Sequence, residues 1–288
     1  MQKKLNILHK PILVFDSLLK STLPQHFRQI VLQKTPQKQF QIGSGAFSEK
    51  QIETIKKKLS KEIKKITVVD LRKETHAYLN GLPISWYGKH NWTNRKKTNE
   101  EVELDTLKKI TELKTEKNVK IYEIKEKMED NENIKAKEKI VPVHLLETES
   151  EFAKRMGFDY KRFYINDHML PSPFTEVDRF VNFFKSISLD ETLFFHCRGG
   201  WGRTTTFLIM QDILKNHNKK PLLFFIQKHQ RFGGLNLFQI SSSWKKKYSK
   251  QRKNFISLFY RYANYASSSD YSLSFSNWMK TKENIIKI

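Results

Sequence analysis

One run constrains this chain more than any other: His196-Cys197-Arg198-Gly199-Gly200-Trp201-Gly202-Arg203-Thr204-Thr205. It follows Glu191-Thr-Leu-Phe-Phe195, an apolar stretch that predicts a buried strand, and it opens Arg203 to Asn216, whose pattern predicts a helix. Three glycines let such a turn curl until successive backbone N–H groups face one bowl. The positive end of the following helix prepares that bowl for a phosphate dianion. The same dipoles stabilise a sulfur anion, which makes Cys197 a candidate nucleophile. Six positions on, Arg203 can return to the bowl and hold two phosphoryl oxygens with its planar fork, a task lysine does less well.

Cys197 is the only cysteine, so an internal disulfide framework and a cysteine-based zinc cluster are both excluded. Against 30 acidic residues stand 53 Lys and Arg, a net charge of +23 that attracts polyanions: nucleic acid, an acidic membrane surface or a multiply phosphorylated small molecule. Nucleic acid is not expected as a partner, because zinc-finger spacing and a glycine-aromatic single-strand motif are both missing. Basic residues are spread along the chain, with short clusters at 56–58, 95–97 and 245–247. No window approaches the apolar length needed to span a bilayer, so stable membrane insertion is not expected. A hydrophobic content of 38% is enough for a real core despite the charge.

Along the chain, strands alternate with helices and no internal repeat is visible, which predicts an α/β domain with a largely parallel sheet. A helix is expected over Gln51 to Lys64, a buried strand over Ile66 to Asp70, and an ordered loop from Asn80 to Asn94. A second helical stripe covers Glu101 to Lys117, a strand covers Val119 to Ile124, and the charged stretch from Lys125 to Lys139 reads as a mobile loop. Thr148-x-x-Glu151 reads as a capping box, Arg162 to Ile165 as a strand, and Phe174 to Ile187 as an amphipathic helix. Two more helices are expected near Pro221–Gln230 and Trp244–Ala263.

A cysteinyl-phosphate reaction also needs a proton for the leaving oxygen. Asn166-Asp167-His168-Met169-Leu170-Pro171 leaves a strand, ends in proline and precedes a helix, which makes Asp167 the candidate general acid and base. The bowl and this loop together resemble the protein-tyrosine-phosphatase superfamily. More closely, the chain is similar to the protein-tyrosine-phosphatase-like phytases, or cysteine phytases, through Leu23-Pro-Gln-His-Phe-Arg28, Gln41 to Phe47, Val69 to His76, Gly81 to Gly88, Asn91-Trp-Thr-Asn94, Asp167 to Pro171, His196 to Thr206, Gly233-Gly234, Trp244-Lys245 and Phe259 to Tyr262.

That resemblance implies a phosphatase α/β core, a mostly parallel sheet flanked by helices, with a smaller partial β-barrel-like domain. Residues 1–30 would join the core, 31–145 would supply core elements and the smaller domain, and 146–288 would hold the core with both site loops. It implies metal-independent hydrolysis of myo-inositol hexakisphosphate and lower inositol polyphosphates, without a cofactor. Cys197 would be the nucleophile, Asp167 the acid and base, and Arg203 the phosphate clamp, with Thr204 bonded to the thiolate. Arg28, His168 and Lys245 would contact substrate phosphates, and Arg198 and Lys247 would be further rim cations. The loop residues Gly199, Gly200, Trp201 and Gly202 would cradle the phosphate.

Asp70, Arg72, Glu74 and His76 are expected to form a polar network supporting the site, and Trp86 and Trp92 to pack. Two departures stand out: Asn91 where some members have aspartate, and Lys125-Glu-Lys127 where some carry a His-Lys segment. The same bowl also serves phosphoinositide-lipid and protein-tyrosine or dual-specificity phosphatases, and a non-catalytic polyanion-binding module is the alternative outside enzymes. Family members are commonly exported. No cleavable signal is visible here, so export and a cytoplasmic location both stay open.

Overall fold

Two sheets divide the chain, and the functional loops lie where they meet. The computed structural model describes residues 2–18, 20–33, 39–128, 132–188 and 190–286. Its strands are β1 (Gln2–Asn6), β2 (Ile12–Phe15), β3 (Arg28–Gln33), β4 (Gln39–Ser44), β5 (Lys65–Asp70), β6 (His76–Leu79), β7 (Leu82–Tyr87), β8 (Asn118–Lys127), β9 (Asn133–Pro142), β10 (Leu146–Glu147), β11 (Asp159–Arg162) and β12 (Glu191–His196). The helices are α1 (Glu49–Lys58), α2 (Asn99–Lys114), α3 (Glu149–Arg155), α4 (Thr175–Ser186), α5 (Gly202–Asn216), α6 (Leu222–Arg231), α7 (Lys246–Ala266) and α8 (Phe275–Ile286).

The five-stranded sheet runs β11-β5-β12-β4-β3. Its three inner pairings are parallel and only β3–β4 is antiparallel. Central β12 is buried from Thr192 to His196, as its unbroken apolar run requires of a strand covered on both faces. On one face, Phe195 packs with Phe180 of α4, Phe207 of α5 and Phe255 of α7. On the other, Phe194 packs with Ile52 and Ile55 of α1 and Phe152 of α3. Register places His196 beside Asp70, so the segments leaving β12 and β5 emerge together at the carboxyl end of the sheet. That edge is where open α/β sheets bind ligands.

The seven-stranded sheet runs β1-β9-β8-β2-β7-β6-β10, antiparallel except for a parallel contact between β2 and β8 at Val14 and Tyr122. Its outermost strands do not pair with each other among the described residues, so the sheet is open rather than a closed barrel. Residues 2–15, expected with the core, pair instead in this sheet. The apolar run Ile12–Phe15 lies along β7, from Ile12 opposite Tyr87 to Phe15 opposite Ile84.

The charged stretch expected to be a mobile loop is an antiparallel ribbon, with β8 paired to β9 from Asn118–Pro142 to Lys127–Ile134. Ile134 and Ala136 are buried while Lys135 and Lys137 face outward, so the period is two and lysines supply the wet face. Residues 129–131 of that stretch lie outside the described ones. Likewise, the expected loop from 80 to 94 contains β7. The expected capping box forms, Thr148 with Glu151 opening α3, and Thr98 with Glu101 opens α2 in the same way. Helix α1 is shorter than expected and ends at Lys58.

Candidate active site

Cys197 sits at the end of β12 on the floor of an open cavity of about 530 Å³, and is only 3% exposed. The loop from Arg198 to Trp201 then turns into α5. Its backbone N–H groups make no hydrogen bond to the described residues, so they are free to receive an anion. Gly200 has φ of +70°, and a Cβ there would lie 2.2 Å from the Gly45 nitrogen. Only glycine allows the loop to press this closely on the end of β4. Thr204 Oγ1 donates to Cys197 Sγ at 3.2 Å, and the guanidinium charges of Arg28, Arg203 and Arg252 all act on the same sulfur.

Arg203 is buried and held on two sides. Its Nη1 donates to Glu74 Oε2 at 2.7 Å and to the Leu71 and Ile165 carbonyls, while Nη2 donates to Glu74 Oε1 at 2.9 Å. The same Nη2 lies 3.2 Å from Asp167 Oδ1, which brings the proposed clamp and the proposed acid together. Burial opposes ionisation of Asp167, but Arg203, His168 and Lys127 more than offset it, so its carboxyl is held well below the ordinary carboxylate range. Two groups from the turn after β7 fix the acid loop: Trp92 Nε1 donates to the Asp167 carbonyl at 2.8 Å, and Asn91 Nδ2 donates to Asp167 Oδ2 at 3.3 Å.

Behind the loop lies the expected polar network. Arg72 bonds Glu74 at 3.0 Å and Asp16 at 2.6 Å, and Arg162 Nε lies 3.2 Å from Asp70. His76 Nε2 lies 3.1 Å from Asp70 and 2.8 Å from Glu149, which in turn meets His196 at 2.6 Å. Among the described residues, Asp70, His76 and Glu149 are the group spaced to hold a metal ion, with ligand atoms within 4.8 Å of one another. Their carboxylates already face Arg162, Tyr160 and two histidines, so protein cations occupy the charge a metal would supply.

The remaining expected residues divide. His168 and Lys245 line the cavity with Gly199, Trp201 and Gly202. Burial, reinforced by Lys245 and Arg203, lowers His168 to about 4. Arg28, expected on substrate, is instead behind the loop: it is 4% exposed and donates to the His26 and Gly200 carbonyls and to Thr205 Oγ1. Bonded to the loop at Gly200, to α5 at Thr205 and to its own segment at His26, it braces the bowl and is absent from the cavity lining. Arg198 lines the cavity, but its Nε is tied to Asp16 at 2.6 Å and its guanidinium covers the Tyr87 ring. Gly200, within the loop, faces the end of β4 and is absent from the cavity lining, and Lys247 is exposed on α7 outside that lining.

Sequence reasoning gave Lys127 no role, yet it lines the cavity from the end of β8. Surrounding protein and the like charge of Arg198 push its ammonium down to about 7; the residue stays exposed to water, which screens part of that shift. Arg252 of α7 also lines the cavity and donates to the His168 carbonyl at 2.7 Å. Its signal was an arginine inside an otherwise amphipathic helix, about two turns past Lys245.

The geometry has counterparts in known proteins. A family model described as PTP-like phytase, inositol hexakisphosphate, matches residues 69–215, half of the chain. The chain belongs to the PTP-like phytase family. Within the curated proteins, this PTP-like phytase chain is 32% identical over 220 residues to effector protein hopD2 of Pseudomonas syringae pv. tomato, covering 74% of this chain and 46% of that one. A PTP-like myo-inositol phosphatase from Mitsuokella multacida, solved with myo-inositol-(1,3,4,5)-tetrakisphosphate, superposes with a TM-score of 0.84 at 30% identity, over 95% of this chain and 48% of that one. A PTP-like phytase from Bdellovibrio bacteriovorus matches at a TM-score of 0.74 and 25% identity, over 96% and 97% of the two chains. The chain thus spans about half the length of the Pseudomonas and Mitsuokella proteins. Its mixed α/β fold with flanking helices is the one those phytase structures share.

Proposed function

We propose that this PTP-like phytase chain releases inorganic phosphate from myo-inositol hexakisphosphate and lower inositol polyphosphates through a cysteinyl-phosphate. The observation that carries the reading is two close pairs, Thr204 with Cys197 and Arg203 with Asp167, each at 3.2 Å, with Cys197 and Asp167 lining one cation-rich cavity. A phosphate seated in the loop meets backbone N–H groups from one side and the Arg203 fork from another. Cys197 Sγ attacks phosphorus, the S–P bond forms, and the P–O bond to the inositol carbon breaks. The departing oxygen takes the Asp167 proton. Water then attacks phosphorus, Asp167 recovers a proton from it, and the S–P bond breaks to return the sulfur to its bond with Thr204.

Asp167 is held ionised before substrate arrives, so the substrate itself must help to protonate it. Phosphates entering beside Arg203 and Lys127 compensate the cations that depress the acid. A densely anionic ligand does this better than a single phosphate ester, which favours inositol polyphosphate over a phosphotyrosine peptide. The uncleaved phosphates would meet His168, Lys127 and Lys245 at the rim.

The test is phosphate release in the presence of a chelator from three compounds: phytate, a phosphotyrosine peptide and a soluble phosphoinositide. Phytate should turn over fastest. Cys197→Ser should abolish release, and Asp167→Asn should lower kcat by about 10²-fold or more. Preference for the peptide would overturn the substrate, and full turnover by Cys197→Ser would overturn the intermediate. Tight, salt-sensitive binding without any release would point to a polyanion-binding module instead.

A further inference from the structure

The run Arg95-Lys96-Lys97 takes no part in the site above. It lies on a second concavity of about 730 Å³, within the range of ligand-binding clefts. An aromatic cluster lies between the two: His90 packs on Trp92 at 4.5 Å and on Trp244 at 4.0 Å, while His168 meets Trp244 edge-on at 5.0 Å. Seven basic side chains line this groove and no carboxylate does. Lys97 and Lys109 share Asp105, at 2.8 and 2.7 Å, and Lys89 is paired with Glu132. Arg95 and Lys96 have no carboxylate partner among the described residues, and the Arg95 guanidinium is spread over the Trp92 ring at 5.1 Å.

The turn carrying His90 and Trp92 is incompletely bonded. His90 and Asn91 both have positive φ, 53° and 64°. His90 Nδ1, Thr93 Oγ1 and Asn94 Oδ1 are buried without a hydrogen-bond partner. A guanidinium placed over indole, beside an ammonium with no carboxylate partner among the described residues, is suited to phosphoryl oxygens. No negative side chain in the lining opposes such a ligand.

We propose that this groove is a second binding site for a phosphate-dense ligand, distinct from the catalytic cavity. The chemistry is that of a multiply phosphorylated ring, whether free in solution or displayed as a lipid headgroup. The inference shares its ligand chemistry with the proposed function, yet it requires no turnover.

The full chain carrying Cys197→Ser is titrated calorimetrically with myo-inositol hexakisphosphate at physiological salt. Two sites per chain are expected. Adding Arg95→Ala and Lys96→Ala should remove one and leave the affinity of the other within about twofold. Lys57→Ala with Lys58→Ala on α1 removes the same charge elsewhere and should keep both sites. If the catalytic cavity does not take this compound, a single site appears and the groove variant still removes it, so failure of the enzymatic reading is recognisable.

The inference falls if the groove variant keeps every site, or if the α1 control loses as many. Should the double variant not fold, Lys96→Ala alone must weaken one site by about fivefold or more, and no weakening refutes the proposal. Vesicles of phosphatidylcholine with and without phosphatidylinositol 4,5-bisphosphate identify the source. Capture that depends on Arg95 and Lys96 assigns the headgroup, and soluble binding without capture assigns a free ligand. Binding to neither probe overturns the proposal.

Discussion

Asn91→Asp tests how the acid is tuned. In the structure, Asn91 Nδ2 donates to Asp167 Oδ2 at 3.3 Å and so favours the ionised carboxyl. Exchange for aspartate removes that donor and places a like charge in the same space. Two unit charges so separated interact by about 5 kcal/mol at an effective dielectric of about 20. At about 1.4 kcal/mol per tenfold change in proton affinity, the ceiling is about 3.5 in pH. The Asp167 side chain is 20% exposed, and water at the cavity mouth screens part of the repulsion, so about 1 to 2 in pH is the expected displacement.

The sign follows from the role. An acid works protonated, and activity falls as pH rises through its apparent pKa in the substrate complex. A neighbouring negative charge favours the protonated form, so the descending limb of kcat should move to higher pH. The assay is initial phosphate release from phytate across the pH range, for the wild type, Asn91→Asp and Asn91→Ala. The alanine variant loses the donor without adding charge and should move the limb less than half as far. A limb that moves downward, or moves equally in both variants, refutes the electrostatic reasoning.

Other expectations follow from named contacts. Gly200→Ala drives a methyl group into the β4 backbone from a left-handed φ; release should fall about 10²-fold or more, with a lower melting temperature. Lys127→Ala should raise KM for phytate about five- to tenfold and move the descending limb of kcat to higher pH, because the ammonium both lines the cavity and depresses Asp167. Glu74→Gln removes the carboxylate that holds both Arg203 and Arg72, and should lower kcat at least tenfold while costing about 3 kcal/mol in denaturant unfolding. Asp70, Glu74 and Glu149 are disfavoured as anions by burial but are held below their ordinary range by His76, Arg203 and His196. Their contribution is therefore fully present above the unfolded carboxylate range, begins to fall there, and is lost as pH drops through the native values, about 2 for Glu74 and Glu149. Unfolding midpoints measured from pH 7 toward pH 3 should decline, and a flat profile would contradict the assignment.

The strand, glycine turn and helix around Cys197 were legible because each local signal pointed the same way: apolar β12, glycines at the turn, and an uninterrupted helical pattern in α5. The loop carrying Asp167 stood out through its proline, although the strand expected over Arg162 to Ile165 lies at Asp159–Arg162. Lys125 to Lys139 was misread because lysines on the wet face of β8 and β9 outnumber the apolar residues facing inward, and composition masked the alternation. β2 was missed because four apolar residues carry no period of their own; only pairing with β7 reveals them as a strand. Arg28 was read as a rim cation on the strength of its motif. Its bonds to Gly200 and Thr205 depend on the approach of β3 to residues about 170 positions away, which no local pattern encodes.

Asp16 shows what joining the two sheets does for the site. It lies just past β2, in the seven-stranded sheet, and its carboxylate receives Arg72 at 2.6 Å, Arg198 at 2.6 Å and Ser85 at 2.8 Å. Arg198 belongs to the phosphate loop and Arg72 to the segment that carries Glu74. One buried anion therefore connects the loop, the Arg203 support and the neighbouring sheet. Burial disfavours its charge, but the two guanidinium groups overcome this and hold its carboxyl below the usual range. Asp16→Asn keeps the shape and removes the charge, leaving two largely buried guanidinium groups facing a neutral amide. Breaking a buried pair this way costs about 3 to 5 kcal/mol, and for a chain of this size that lowers the melting temperature by roughly 10 °C. Because Arg198 is also released from its anchor, the loop loses its fixed edge, and kcat for phytate should fall together with stability. A melting temperature within about 2 °C of the wild type would mean that the sheets are joined by apolar packing alone and that Asp16 is no junction.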